Sequence, residues 1–145
     1  MNWETQLASA LSALDRDGLA VLDDAALALA RRLQPQLAPR RVAGDAMPQT
    51  PAVAALVVDA LDGLESAAAR ARLAHVQRFI APQVLVVAGP RCPLHGADFI
   101  ALGFERIGDD PAAQTALYRF DIRTYKPVPD WLNARFWAHP ERWEP

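Results

Sequence analysis

The chain has 145 residues, 52% hydrophobic and 22% charged, with a formal net charge of −2 and one cysteine. That length fits a single domain burying roughly 70% of the surface its unfolded chain exposes, and so apolar and weakly charged a composition excludes a disordered chain. One Cys rules out a disulfide scaffold, one Cys with three His argues against a four-ligand zinc site, and near-neutral charge argues against a dedicated nucleic-acid binder.

The start, Met1-Asn2-Trp3-Glu4, lacks the basic and apolar regions of a signal peptide. No uncharged run reaches the ~20 residues a membrane helix needs, so no membrane partner is expected and the expected location is the cytosol. Leu7, Leu11 and Leu14 recur at helical spacing and predict an amphipathic helix from Trp3 to Leu14. Gly18 suits a left-handed position ending it. Leu19 to Leu22 is a short apolar run closed by Asp23, which reads as a buried strand followed by an N-capping residue. Leu27, Ala30 and Leu33 mark the next helix, limited by Pro35. Arg41-Val42-Ala43 is a weaker strand leading to Gly44-Asp45-Ala46, and Met47 to Pro51 reads as loop.

Ala54 to Val58 is a continuous apolar run, as expected for a strand buried on both faces. Glu65 to Ile80 is predicted helical, with Leu73, Val76 and Ile80 along one stripe. Gln83 to Ala88 is the next buried strand, so strand, helix and strand form a parallel pair with a right-handed crossover. Gly96 to Leu102 reads as a short helix ended by Gly103, before a strand at Phe104 to Ile107. Asp109-Asp110-Pro111 is turn chemistry, and Ala116 to Ile122 reads as the final strand. The expected fold is a single α/β domain with a mainly parallel sheet and an antiparallel pair at its C-terminal end. The expected division is a domain over residues 1–126 with an aromatic tail over 127–145 packed on it.

The order of these parts resembles class I S-adenosylmethionine-dependent methyltransferases, from about Gly18 to Ile122. Val21-Leu22-Asp23, Val42-Ala43-Gly44-Asp45-Ala46, Val57-Val58-Asp59-Ala60-Leu61 and Phe79 to Val86 follow that family's succession of strand ends. Leu102-Gly103-Phe104-Glu105-Arg106 is similar to the entry into its closing hairpin. The resemblance implies a Rossmann-like fold with S-adenosylmethionine as the cofactor. It also implies a cofactor-binding set of Asp23 (ribose hydroxyls), Asp45 (adenine amino group), Ala46 beside it, and Asp59 facing the methyl-transfer centre. The chain departs from the pattern at one place: it contains no G-x-G, whereas the family's cofactor rests on a glycine-rich turn after its first strand. If Leu19 to Leu22 matches the family's second strand, the first strand and its turn are missing. If it matches the first, Asp23-Asp24-Ala25-Ala26 stands in place of the glycines. The ending from Phe120 to Trp143 resembles that of a small bacterial family of Rossmann-like proteins with no assigned activity.

Each candidate residue also has a plain structural reading. Asp23 and Asp45 are explained as N-cap and turn residues. Cys92 and His95, in Cys-Pro-Leu-His after a strand, have the residue types of a nucleophile pair but no third group to orient them, so Cys92 is expected to be packed and inert. His75 reads as a half-exposed helix residue. In the tail, Asp130 caps a short helix from Trp131 to Ala138 on which Leu132 and Phe136 share a face. Trp131, Arg135, Trp137, His139 and Trp143 are either a staple onto the domain or a ligand or partner surface.

The expectation is therefore a methyltransferase-like protein that does not catalyse methyl transfer, needs no cofactor and acts through binding, to a protein partner or a second copy. The alternatives are an active S-adenosylmethionine-dependent methyltransferase on a small molecule and a homodimeric scaffold.

Overall fold

The computed structural model describes residues 2–124. Its elements run α1 (Trp3–Ser12), β1 (Leu19–Val21), α2 (Asp24–Leu33), β2 (Arg40–Arg41), β3 (Ala54–Val57), α3 (Ser66–His75), β4 (Gln83–Ala88), α4 (Gly96–Ala101), β5 (Glu105–Asp110) and β6 (Thr115–Asp121). The strands form one sheet in the order β2-β1-β3-β4-β6-β5. The first four are parallel, and β6 runs antiparallel to both β4 and β5. The expected α/β class, parallel sheet and antiparallel finish are all present.

Strand side chains alternate between the two faces, and the two halves of the core follow that alternation. Ala20, Ala55, Val57, Val84, Val86 and Phe120 pack with Leu73 of α3 and Phe99 of α4. Leu19, Val21, Ala54, Leu56, Leu85 and Leu117 pack with Leu7 and Leu11 of α1 and Leu29 of α2. Apolar residues on both faces make the central strands read as unbroken apolar runs. On the first face the rings of Phe99 and Tyr118 stack at 4.0 Å, and Phe104 meets Phe99 edge-on.

Several boundaries differ from the sequence reading. α1 stops at Ser12, not Leu14, and Gly18 has no left-handed backbone. Gly18 sits in a tight turn instead: a Cβ there would lie 3.3 Å from the Asp15 carbonyl oxygen and 3.4 Å from Val53 Cβ, and its own carbonyl accepts from the N–H groups of Val53 and Ala54. The second strand is Arg40–Arg41, shorter and earlier than expected, an exposed edge guarded by two charged side chains. Asp109 and Asp110 belong to β5, not to the turn, which falls at Pro111–Ala113 where Asp110 Oδ1 accepts from Ala113 N–H. Gly103, at φ +93°, ends α4 in the left-handed conformation as expected. α3 continues through a wider turn at Val76–Ile80, closed by Ala81 N–H donating to the Val76 carbonyl.

No helix among the described residues is long and apolar enough to cross a membrane. The aromatic tail, including Trp131, Arg135, Trp137, His139 and Trp143, lies outside the described residues.

Candidate functional site

Open α/β sheets bind ligands beyond the carboxyl ends of their strands, in the crevice where strand order reverses. Here the order reverses between β1 and β3, since β1 leads outward to β2 and β3 leads the other way to β4. β1 therefore holds the place of a first strand. This decides between the two matches for Leu19 to Leu22: Asp23-Asp24-Ala25-Ala26 stands where a glycine-rich turn would be.

Asp23 lies two residues beyond β1 and is 8% exposed. Its Oδ1 accepts from Ala26 N–H at 2.7 Å, capping α2. Its Oδ2 accepts from the N–H groups of Val58, Asp59 and Ala60, each at 3.0 Å, where the chain leaves β3. One carboxylate thus engages a helix N-terminus and three consecutive backbone donors across the reversal point. Such donors are what a helix N-terminus and a strand exit offer an anionic or hydroxyl-bearing ligand. Here they are occupied from within, and only Leu22 and Asp23 separate β1 from α2.

The other residues of the expected set have surroundings of their own. Asp45 is exposed in a turn. Its neighbours are held from α3: the Arg72 guanidinium lies against Gly44, where a Cβ would come within 3.3 Å of it, and the His75 ring nitrogen Nε2 is 2.7 Å from the Ala46 carbonyl oxygen. His75 is half-exposed at the end of α3, as expected, and its ring packs on Phe79. Asp59 contributes its backbone N–H to Asp23, while its side chain is exposed and lines a separate cleft.

That cleft, of about 360 Å³, lies beyond the ends of β3 and β4 and is lined by Asp59, Asp62, Gly89, Arg91 and Thr115, with Trp3 of α1. Burial first, then the charge of Asp59, raises the Asp62 carboxyl above the ordinary aspartate value, while Arg91 pulls the other way. Asp62, Arg91 and Trp3 were not singled out in the sequence. Their signal was available for two of them, since Asp62 follows β3 and Arg91 follows β4 at the ligand-bearing edge.

Cys92 sits half-buried against the core, and burial pushes its thiol up, with the Leu94 backbone hydrogen bond opposing. An activated nucleophile needs the opposite shift. His95 is the N-cap of α4, where its backbone N–H donates to Asp98 Oδ2 at 2.9 Å. Among the described residues no cluster of three or more His, Cys, Asp or Glu is arranged to hold a metal ion.

Comparison with solved structures agrees with this architecture. The fold is similar to magnesium protoporphyrin IX methyltransferase from Synechocystis PCC 6803 with bound SAM, at a TM-score of 0.62 and 10% identity, covering 81% of this chain and 76% of that one. It is likewise similar to the N-methyltransferase NodS from Bradyrhizobium japonicum WM9 in complex with S-adenosyl-l-homocysteine, at 0.61 and 14%, covering 87% and 86%. A TehB-like SAM-dependent methyltransferase from Corynebacterium glutamicum matches at 0.51 and 14%, covering 81% and 86%. At these identities the likeness is one of fold, and the fold is that of class I methyltransferases. No curated protein matches the chain in sequence. The chain belongs to a family of unknown function, DUF6231, by a match over residues 2–145.

Proposed function

We propose that this protein keeps the methyltransferase fold without the cofactor and acts through binding, in the cytosol. The observation that carries the reading is the Asp23 carboxylate, which accepts from Ala26, Val58, Asp59 and Ala60 N–H across the strand-order reversal. A nucleoside cofactor approaching there meets a carboxylate already paired and an α2 that starts too early to leave a glycine loop. Opening the crevice strands the buried Ala26 N–H, which is unfavourable by about 1–3 kcal/mol for a buried group left unpaired. What stays open at this edge is the cleft of Asp59, Asp62 and Arg91. Its two carboxylates against one guanidinium suit a small ligand or partner side chain that brings positive charge. A protein partner or a second copy fits the same reading.

The SAM- and SAH-bound neighbours supply the competing reading, an active methyltransferase on a small molecule. A melting assay with S-adenosylmethionine and S-adenosylhomocysteine separates the two. A ligand at 100 times its dissociation constant stabilises a fold by ~2.7 kcal/mol, so cofactor binding gives a clear upward shift. The proposed reading expects no shift. A shift that disappears in Asp45→Ala restores the methyltransferase reading.

A further inference from the structure

We propose that the C-terminal segment, residues 127–145, docks into a groove between α1 and the antiparallel end of the sheet. The groove has a volume of about 620 Å³ and lies on the α1 side of β4, β5 and β6. Ala10 of α1 and Ala13, its C-cap, form one wall, and Leu85 and Ile107 form the apolar part of the sheet side. A sheet with apolar residues on both faces needs cover on both. α3 and α4 supply it on one face. On the other, α1 leans over the sheet from one side and leaves this channel beside it.

Chain path selects the occupant. β6 ends at Asp121, and both Asp121 and Arg123 line the groove. Residues 127–145 follow a few positions later, and at ~3.3–3.6 Å per residue the connection is short enough to deliver them to its mouth. Such a tether holds the segment at an effective concentration on the order of mM, well above that of a free partner. The segment carries Trp131, Leu132, Phe136 and Trp137, and each aromatic brings ~150–250 Å² of apolar surface in need of cover.

Polar chemistry agrees. Gln6 lines the groove, and its Oε1 is buried without a hydrogen-bond partner among the described residues. Tryptophan is a donor without an acceptor, and its buried N–H seeks such an oxygen. The rim charges are paired within the domain, Arg119 with Glu105 and Arg123 with Asp121. The groove therefore offers no surplus charge to a nucleic acid or an anionic membrane; what it lacks is apolar cover. The family match also runs through α1 and the segment together.

The test uses the full chain with the photoreactive residue p-benzoylphenylalanine replacing Ser9, an exposed groove residue. Irradiation should give cross-links within one chain to residues 128–143. In the unmodified protein the amides of that stretch should exchange about tenfold or more slower than in a free chain. Ala13→Arg, placed on the exposed rim, should abolish both signals while the amides of Leu56 and Val86 keep their protection, showing that the domain is still folded. The proposal is overturned by cross-links between chains that rise with protein concentration, which would assign the groove to a second copy. Cross-links confined to β5 and β6, none at all, an unchanged pattern in Ala13→Arg, or free-chain exchange of the segment also overturn it.

Discussion

Replacing Asp23 with alanine removes one side chain and two structural connections. The first is the N-cap of α2, whose loss by substitution with Ala costs about 0.5–2 kcal/mol. The second is the bridge to β3, where Oδ2 serves three donors at once. Losing the partner of a buried donor costs about 1–3 kcal/mol, and because water reaches this half-buried exit, one such loss is counted rather than three. The sum is about 1.5–5 kcal/mol, which in a domain of this length lowers the melting temperature by roughly 5–15 °C. Asp23→Asn is the informative companion. Asparagine caps a helix as well as aspartate, but its amide group has one acceptor oxygen, so either the cap or the bridge is lost. It should cost about half as much as alanine. Urea titration of the three proteins gives the free energies, and an unchanged slope shows that the native state is otherwise intact. If Asp23→Ala melts within ~2 °C of wild type, or Asp23→Asn is as stable as wild type, the bridge does not hold the crevice and the functional reading loses its support.

Other consequences are more local. Because Asp62 has a raised carboxyl in the fold, its ionisation removes stability as pH rises through the folded value. Asp62→Asn should therefore be more stable than wild type at pH 7, with the difference vanishing below the ordinary value of 3.8 in a pH series of urea midpoints. Cys92 should react with a thiol reagent only with a midpoint above the ordinary 9.0, and Cys92→Ser should change stability by less than about 1 kcal/mol; fast labelling at neutral pH contradicts this. Gly108→Ala places a Cβ against the buried Gln6 amide oxygen. Because that oxygen is the end of a flexible side chain, the cost should stay below about 1 kcal/mol, and Gln6→Ala should relieve it in a double-mutant cycle; a loss of several kcal/mol would show that Gln6 cannot move aside.

What was legible in the sequence is what depends on neighbouring residues. The runs at Leu19, Ala54 and Gln83 announce strands because both faces of each are buried, and Asp23 announces a cap because its partner is three residues away. The other oxygen of Asp23 meets groups 35 to 37 residues on, and no local pattern encodes that. The same limit applies in part to Gly18, crowded by the local Asp15 carbonyl and by Val53 from across the fold. Asp109 and Asp110 have turn composition, yet pairing with Ala116 and Thr115 extends β5 through them. Of the expected cofactor set, Asp23 is tied to the exit of β3, Asp45 lies exposed in a turn and Asp59 lines the cleft with Asp62. The two possible matches for Leu19 to Leu22 needed the strand order, a property of the sheet alone.

The most direct test of the central claim follows four backbone amides, those of Ala26, Val58, Asp59 and Ala60, by nuclear magnetic resonance while S-adenosylhomocysteine is added to the wild-type protein. A crevice closed by Asp23 predicts that all four resonances stay in place at every ligand concentration. Saturable shifts at these amides, reporting that the ligand has displaced the carboxylate from its donors, would contradict the account.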